Sequence, residues 1–392
     1  MRRLRLALVT ETYPPEVNGV AMTNDRLRRG LEARGHRVLL LRPRRADRPR
    51  GEAGVLEVPS VPLPGYPGLR MGLPPFLRMH RALQAFQPDL LHIATEGPLG
   101  WGGLAWARRL RVPVSSTFHT NFHRYCGDYG ASFLRGTALG YLRAFHNRCQ
   151  LTTVPDERLR GELERAGFAR TALLGRGVDI GLFSPARRDE NLRRAWGARP
   201  GDRVVLFVGR IAAEKNLPLF LEAVHRARRE DARIRAVVVG DGPLRQRLER
   251  EWPGVVFAGM RHGEDLGRHY ASGDAFWFGS LSETYGNVVA EAMSSGLDVL
   301  TFDYAAGRQL IRDGVNGRLV PEGEEGDFLE AARAWAREPG DVSGRQREAR
   351  ATAESMPWSR MLDRFEGLVQ PLLPEPEPQF PPRPAWGDHP AA

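Results

Sequence analysis

The chain has 392 residues, of which 42% are hydrophobic and 27% are charged, a composition typical of a globular protein with two domains of about 150–200 residues each. No apolar run approaches the roughly 20 residues that a membrane-spanning helix requires, which argues against a bilayer-spanning chain. The formal net charge is +10, and residues 1–175 hold 27 basic and 14 acidic residues, an excess that favours an anionic partner such as a phosphate, a nucleic acid or an anionic membrane surface.

The N-terminus leads directly into a predicted strand, without the apolar stretch and small-residue cleavage site of a secretory leader. The two cysteines, Cys126 and Cys149, are too few for a disulfide framework and, alone, for a four-ligand zinc site. We therefore expect a reduced, cytoplasmic protein.

The first half alternates short β-branched runs with amphipathic stretches, which predicts a parallel sheet covered by helices on both faces. A helix is predicted at residues 22–34, and the Pro-, Gly- and Arg-rich residues 42–75 are predicted to be mostly loop. The predicted strands are residues 4–10, 38–41, 90–94, 112–118 and 150–154.

A second alternating series begins near Arg203 and predicts a second sheet of the same kind. Its predicted strands are residues 204–208, 236–239, 255–257, 275–278 and 299–302, and its predicted helices are residues 217–229, 244–251 and 287–295. Two such sheets joined end to end leave a cleft between the carboxyl ends of their strands, where folds of this kind bind ligands.

These elements predict an α/β chain of two Rossmann-like, doubly wound domains. An amphipathic helix is predicted to close the fold, and the proline-rich stretch after it to be a disordered tail. The predicted divisions are residues 1–180 for the N-terminal domain, 181–200 for a linker, 201–356 for the C-terminal domain, 357–373 for the closing helix and 374–392 for the tail.

The strongest functional signal is the segment of residues 282–293, which follows a predicted strand and opens a helix near Gly286. Free amides at a helix start, beginning with a glycine that permits close approach, can hold a phosphate. Glu283 precedes this helix and Glu291 lies little more than one turn into it, so both carboxylates can face one crevice and accept hydrogen bonds from sugar or ribose hydroxyls. Alternatively, neither carboxylate binds a ligand: Glu283 is an acidic residue favoured by the helix dipole, and Glu291 is a surface glutamate.

A second signal, residues 208–216, lies at the end of a strand at the mouth of the same predicted cleft. Lys215 is the only lysine among 57 basic residues, which suggests that its position requires a compact point charge and not a planar guanidinium. Arg210 and Lys215 could clamp a diphosphate, the arginine by paired hydrogen bonds and the lysine as a point charge. Alternatively, Arg210 and Lys215 bind no ligand and are two solvated cations near a turn.

Weaker signals lie at the ends of other predicted strands. Gly19 could present its amide to an anionic or sugar ligand across the cleft, and the imidazole of His119 would face the cleft. His92 and His123 are near His119 in sequence, but no carboxylate or cysteine spacing supports a zinc site. Because no aromatic-basic stacking pattern is present, we do not expect a nucleic-acid partner.

Together these residues resemble the retaining glycosyltransferases of family 4, which have the two-domain GT-B fold. The signature is the Glu-x7-Glu motif at Glu283 and Glu291, and the resemblance covers most of residues 6–372. Supporting motifs follow in the family's order: Gly177-Val178-Asp179 with Phe183, Gly209-Arg210 with Glu214-Lys215-Asn216, Gly240-Asp241-Gly242-Pro243, and Gly314 with Asn316-Gly317.

The resemblance implies a role for each matching residue. Arg210 and Lys215 would bind the donor diphosphate together with amides near Gly286. Glu283 would hold hydroxyls of the transferred sugar and Glu291 those of the ribose. The implied catalytic residues are His119, Arg210, Lys215 and Glu283, and the implied donor-binding residues are Gly19, Arg210, Lys215, Met260, Glu283, Tyr285, Gly286, Asn287 and Glu291. The N-terminal domain would supply the acceptor site.

One departure narrows the resemblance to a branch of the family. Many relatives carry Gly-Gly-x-x-Glu after the strand that follows the second glutamate, and here Gln309 takes the place of that acid. This feature and residues 117–122 resemble a branch that glycosylates lipids, including mannosyl-, glucosyl- and sulfoquinovosyltransferases.

The implied function is a retaining hexosyltransferase. Its donor would be a nucleotide-sugar, GDP-mannose or a UDP-hexose, and its acceptor a lipid or a glycan. We prefer mannose as the transferred sugar and a membrane glycolipid as the acceptor. We expect no cofactor and no divalent metal, because cations and helix amides can balance the leaving diphosphate. We also expect reversible contact with an anionic membrane surface, at the inner face of the cytoplasmic membrane. The alternatives are a water-soluble acceptor, a GT-B sugar-nucleotide epimerase or phosphorylase, and a non-catalytic module.

Overall fold

Two parallel sheets form the framework of the computed structural model, which describes residues 2–374 apart from residues 17, 46–50, 64–68, 120–134, 281, 284 and 339–342. The strands of the N-terminal half are β1 (Arg5–Val9), β2 (Arg37–Pro43), β3 (Val55–Val58), β4 (Ser60–Pro62), β5 (Arg70–Gly72), β6 (Leu90–Ile93), β7 (Val114–Thr117), β8 (Leu151–Val154) and β9 (Thr171–Leu173). Those of the C-terminal half are β10 (Arg203–Val208), β11 (Ile234–Val239), β12 (Val256–Gly259), β13 (Ala275–Phe278), β14 (Asp298–Phe302) and β15 (Arg318–Val320).

The helices lie between and after these strands. They are α1 (Gly19–Ala33), α2 (Phe76–Phe86), α3 (Pro98–Leu110), α4 (Arg135–His146), α5 (Glu157–Arg165), α6 (Glu190–Ala195), α7 (Leu217–Glu230), α8 (Arg245–Glu251), α9 (Gly263–Ala271), α10 (Asn287–Ser294), α11 (Ala305–Leu310), α12 (Glu325–Arg337), α13 (Ser343–Glu354) and α14 (Trp358–Val369), with short 3-10 turns at Pro185–Arg187, Ala213–Lys215 and Gln370–Leu372. None of these described helices is long and apolar enough to cross a membrane.

The strand orders confirm the predicted α/β fold. The first sheet has the order β3-β2-β1-β6-β7-β8-β9 and the second the order β12-β11-β10-β13-β14-β15, and all the neighbouring strands in both are parallel. Both orders follow the doubly wound arrangement in which the chain reverses direction beside the first strand. The reversal points lie between β1 and β6 and between β10 and β13, and a crevice opens there at the carboxyl ends of the strands.

The predicted loop at residues 42–75 is wrong in part, because this stretch contains three strands. β3 pairs in parallel with β2 at the edge of the first sheet, and β4 and β5 form an antiparallel pair. Leu56 and Val58 are buried while Val55 and Glu57 are partly exposed, as on a half-covered edge strand. The Pro- and Gly-rich signals that predicted a loop also occur at residues 64–68, which lie outside the described residues.

The closing helix α14 follows the C-terminal half in sequence but packs on the N-terminal sheet. Its buried residues Met361, Leu362 and Phe365 share one apolar cluster with Leu6 of β1 and Leu27 of α1. An ion pair of Arg34 with Glu366 at 3.1 Å adds a polar contact at its edge. The predicted domain boundaries stay predictions, and the predicted tail beyond residue 374 lies outside the described residues.

We expect Phe365→Ala to destabilise the N-terminal half by about 3–5 kcal/mol, because the fully buried ring leaves a cavity between α14 and the sheet. The measurement is the free energy of unfolding by chemical denaturation. Ser359→Ala, on the exposed side of the same helix, is the matched control and should change it by less than about 0.5 kcal/mol. Equal stability of the two variants would contradict the packing of α14.

Candidate active site

The loops that follow β10 and β13 meet at the reversal point of the second sheet. The loop after β10 carries Arg210 and the 3-10 turn that ends at Lys215, and the loop after β13 carries Glu283. β10 and β13 are hydrogen-bonded neighbours, so these loops leave the same edge of the sheet side by side. The topology thus brings Glu283 next to Lys215, 68 positions earlier in the sequence, and to the loop that carries Arg210.

Lys215 and Glu283 form an ion pair at this edge, with the lysine ammonium donating to Oε1 of the carboxylate. The hydroxyl of Ser280 donates to the same oxygen at 3.0 Å, and the hydroxyl of Tyr304 donates to the backbone carbonyl of Glu283 at 2.7 Å. Ser282 donates to the carbonyl of Glu214 at 3.0 Å, which ties the two loops together. An ammonium and a carboxylate are therefore held next to each other by both loops.

Arg210 is more loosely held than Lys215. Its side chain is 53% exposed and forms a 3.4 Å ion pair with Glu214, four residues further along the chain. Exposed pairs of this spacing contribute little to stability. The guanidinium can therefore exchange this partner for an anionic ligand at small cost.

Two helix N-termini, one from each half, face each other across the cleft. α10 starts at Asn287 directly after Gly286, whose φ of +89° favours glycine. α1 starts at Gly19, and a Cβ atom placed on Gly19 would lie 3.7 Å from Nδ2 of Asn287. The first-turn amides and the positive ends of two helix dipoles thus converge at one point, which suits a diphosphate.

Glu291 lies on α10, past its first turn, and its partner is Tyr270 of α9. The buried hydroxyl of Tyr270 donates to Oε2 of Glu291 at 3.0 Å. Burial raises the pKa of the Glu291 carboxyl, while the charge of Arg26 and the hydrogen bond from Tyr270 lower it. Arg26 belongs to α1 of the other half, where its guanidinium lies over the ring of Trp358 at 5.4 Å. Sequence reasoning missed Tyr270 and Arg26, because neither lies in a motif.

His119 is buried just after β7 and accepts a hydrogen bond at Nδ1 from Nη2 of Arg176, 2.7 Å away. Burial above all, with the nearby guanidinium of Arg176, holds the pKa of His119 well below its ordinary value. The segment that follows, including His123 and Cys126, lies outside the described residues. Sequence reasoning assigned no role to Arg176, which directly precedes the Gly177-Val178-Asp179 motif.

The other residues that the sequence analysis singled out differ in burial and in position on the sheet. Tyr285 is buried, and burial raises the pKa of its phenol; Arg176 interacts with it electrostatically. Met260 directly follows edge strand β12 and is exposed, at the carboxyl edge of the same sheet but beyond β11. Gln309 is exposed on α11.

The segment in which the chain departs from the Gly-Gly-x-x-Glu pattern packs against the Glu-x7-Glu motif. The amide of Ala306 donates to the carbonyl of Tyr285 at 2.6 Å. Ala305 has a φ of +48°, in a region that glycine adopts more easily than alanine. The backbone therefore keeps a conformation that favours glycine although the side chain has changed.

A partly buried carboxylate that sequence reasoning missed lies at the carboxyl end of β1. Glu11 accepts hydrogen bonds from the amides of Gly72 and Leu99, so it joins β5 to the start of α3. Burial raises the pKa of Glu11 to about 7, although these two amides lower it. The only sequence signal was an acidic residue directly after a buried strand.

Comparisons with known proteins identify the family to which the two halves of the chain belong. A family model described as Glycosyltransferase Family 4 matches residues 17–182, and one described as Glycosyl transferases group 1 matches residues 202–338. A GDP-mannose-dependent alpha-mannosyltransferase of Mycobacterium tuberculosis is 35% identical over 93% of this chain and 96% of its own length. An alpha-monoglucosyldiacylglycerol synthase of Streptococcus pneumoniae is 30% identical over 81% of this chain and 75% of its own.

Among solved structures, the chain resembles the sucrose-phosphate synthase of Thermosynechococcus elongatus, with a TM-score of 0.76 and 18% identity over 94% of this chain and 99% of that one. HepE of Anabaena, crystallised with UDP and glucose, gives a TM-score of 0.74 and 18% identity over 94% of this chain and 100% of that one. These likenesses support the two-domain fold.

We expect Tyr270→Phe to weaken the binding of GDP, and more strongly as the pH falls. Without the donated hydrogen bond the pKa of Glu291 rises further, so the carboxylate predicted to hold the ribose becomes protonated at a higher pH. The measurement is the Kd for GDP by calorimetry at several pH values. Ser272→Ala removes a buried hydroxyl next to the same helix and should leave the pH profile unchanged. A loss of affinity that is equal at every pH would contradict this role for Tyr270.

Proposed function

The chain belongs to glycosyltransferase family 4, and on this premise we propose that it transfers mannose from GDP-mannose to a hydroxyl of a membrane glycolipid, with retention at the anomeric carbon and without a divalent metal. As a member of this family it is a hexosyltransferase that uses a nucleotide-sugar. The observation that carries the proposal is the convergence of Lys215 and Glu283 with two facing helix N-termini in the interdomain cleft.

The hydrogen-bond donors of this cleft suit the diphosphate of the donor sugar-nucleotide. An ammonium has three hydrogen-bond donors, and Lys215 gives one of them to Glu283. The other two N–H groups of the ammonium can donate hydrogen bonds to the diphosphate oxygens, together with the Arg210 guanidinium and the amides near Gly286. Fixed donors aimed at a developing negative charge stabilise the transition state more than the ground state.

The proposed reaction breaks the bond between the anomeric carbon and the diphosphate oxygen, and forms one from the acceptor oxygen to the same carbon. The acceptor's proton passes to the departing diphosphate. Glu283 lies beside Lys215, where its carboxylate can accept hydrogen bonds from hydroxyls of the sugar. Because Lys215, Arg210 and two helix dipoles all supply positive charge, we propose that no divalent metal is needed to balance the leaving group.

The choice of donor is supported by relatives. Three proteins named GDP-mannose-dependent alpha-mannosyltransferases, from Mycobacterium tuberculosis, Mycolicibacterium smegmatis and Corynebacterium glutamicum, are 31–36% identical to this chain over 81% or more of it. The choice of a lipid acceptor is supported by the relative that is named a synthase of alpha-monoglucosyldiacylglycerol.

An exposed apolar surface on the N-terminal half supports contact with a membrane. Leu73, Phe76 and Leu77, at the start of α2, are 43%, 56% and 75% exposed. The exposed arginines Arg78 and Arg81 follow on the same helix. Apolar side chains beside arginines suit a bilayer with anionic headgroups, because the former enter the lipid while the latter pair with phosphates. We therefore propose that this surface, the α2 apolar surface, rests on the inner face of the cytoplasmic membrane.

The test of the function is a transfer assay with GDP-mannose, UDP-glucose and UDP-galactose, extracted bacterial lipids and EDTA. We expect wild-type transfer of mannose in EDTA, and Lys215→Ala to be slower by about 10²-fold, because one charge contact in the transition state is worth ~2.7–4 kcal/mol. Lys215→Arg should restore little of the rate, because a planar fork replaces a point charge.

Other outcomes identify the alternatives. Loss of transfer in EDTA that Mn²⁺ restores would contradict the metal-independent reaction. Transfer to a soluble sugar but not to lipids would indicate a water-soluble acceptor. Turnover of the donor without any acceptor would indicate an epimerase, and a requirement for inorganic phosphate would indicate a phosphorylase.

We expect Leu77→Glu to reduce binding to phosphatidylglycerol vesicles about tenfold or more, since burying one such side chain is worth about 1.5–3 kcal/mol. The measurement is co-sedimentation at low and high salt, and binding of the wild type should weaken as salt screens the arginines. Val315→Glu changes another exposed apolar residue, 44% exposed on the C-terminal half, and this variant should bind like wild type. Equal loss in both variants would contradict a specific α2 apolar surface.

A further inference from the structure

The two crossings of the chain between its halves run side by side. Val178 on the first crossing donates its amide to the carbonyl of Met356 on the second, at 3.0 Å. A Cβ atom on Gly177 would lie 2.7 Å from the Cα of Trp358, so only glycine allows this approach. Arg176 precedes this contact and is therefore fixed with respect to both halves.

Arg176 is a partly buried cation with unusual partners. Its Nη2 donates to Nδ1 of His119 at 2.7 Å, and it interacts electrostatically with the phenol of Tyr285. Within the described part of the chain no carboxylate forms an ion pair with it, and its Nε has no hydrogen-bond partner. Burial lowers the pKa of Arg176 to about 10. A guanidinium that is partly removed from water, with a buried Nε and no counter-ion, is costly, so a structural role alone would not favour an arginine here.

The hydrogen bond determines the state of the His119 ring. A guanidinium has only donors, so Nδ1 of His119 must accept with its lone pair. A neutral imidazole has one protonated nitrogen, which leaves the proton on Nε2. The positive charge beside Nδ1 also opposes protonation there. His119 is thus a fixed neutral donor at Nε2 and does not act as a base at Nδ1.

We propose that Arg176 is a positioning residue that holds His119 as a neutral Nε2–H donor towards the transferred sugar. This inference rests on the proposed function and on the position that the family resemblance implies for His119, in the cleft near the transferred sugar. Its specific consequence is a division of labour: Lys215 and Arg210 handle the diphosphate, while Arg176 acts on the sugar side through His119. Arg176 joins the first crossing to the end of β7 and to Tyr285 of the Glu-x7-Glu motif.

Other titratable groups facing His119 are His92 of β6 and His146 of α4. His92 is bound by Ser115 and Thr117, and His146 by Ser116 and the carboxylate of Glu96 at 3.1 Å. Among the described residues, the hydrogen bonds of His92 and His146 include neither Arg176 nor the ring of His119. A change at Arg176 therefore acts on His119 directly.

The test is ¹⁵N NMR of the histidine-labelled full chain, which distinguishes the two tautomers without any substrate. We expect the Nε2–H tautomer for wild-type His119 across pH 5–8. In Arg176→Met the Nδ1–H tautomer should appear and the pKa of His119 should rise, because donor and charge are both lost. In the transfer assay kcat should fall about tenfold or more, since the donor is no longer fixed, while the Kd for GDP stays unchanged.

A second variant keeps the test informative if Arg176→Met folds poorly. Arg176→Gln retains an N–H donor without the charge, so it should keep the Nε2–H tautomer and still raise the pKa of His119. The matched control is Arg203→Met, which removes a buried arginine stacked 3.5 Å over Trp335 at the amino end of β10. Its His119 signals and kcat should equal those of wild type.

The outcomes separate this inference from the proposed function. The inference would be overturned if wild-type His119 carried its proton on Nδ1, or if Arg176→Met changed neither the tautomer nor the pKa of His119. Either result would hold whichever nucleotide-sugar is the donor. Absence of wild-type transfer with all nucleotide-sugars would instead contradict the proposed function, because the state of the ring is read without substrate. A fall in GDP affinity equal to the fall in kcat would also overturn the positioning role.

Discussion

All neighbouring strands in the two large sheets are parallel, and this constraint decides where the chemistry lies. Parallel strands share one carboxyl edge, so every loop that leaves such an edge lies on the same side of its sheet. In the C-terminal half these loops carry Arg210, Lys215 and Glu283, and in the N-terminal half they carry Glu11 and His119. A ligand between the two edges is therefore in reach of both sets.

The paired crossings determine how the two edges face each other. The first crossing passes through Gly177 and the second leads into α14, which packs its apolar side on the N-terminal sheet. A chain that crosses only once would leave the halves joined by one flexible segment. Here the hydrogen bond from Val178 to Met356 and the close approach at Gly177 hold the crossings together, so the separation of Gly19 and Asn287 is set by packing.

Charges in the cleft differ in how they are compensated, and the difference suggests what each can do. Lys215 and Glu283 neutralise each other, and Glu291 has a hydrogen bond from Tyr270, so these groups are held ready without a ligand. Arg176 has no carboxylate partner among the described residues and instead donates to a neutral histidine. In a site of low dielectric, a charge held in this way acts strongly on its neighbour.

Much of the fold and part of the candidate site could be predicted from the sequence. Short apolar runs and turn residues are local signals, so most strands and the positions of Lys215, Gly286 and Glu291 at strand ends or helix starts could be read directly. The edge strand β3 was missed because a half-covered strand of four residues, in a Pro- and Gly-rich stretch, has too weak an alternation to be distinguished from loop.

Partnerships between distant residues were decided only by the tertiary structure. Arg176 and His119 are 57 positions apart, and Tyr270 and Glu291 are 21 apart on different helices. Neither pair leaves a local pattern, because a hydrogen bond between elements depends on how their helices and strands pack and not on the residues beside each partner. The sequence by itself determined which residues stand at the edges of the sheets. Packing decided which of them touch, because the distance between two side chains is set by all the elements between them.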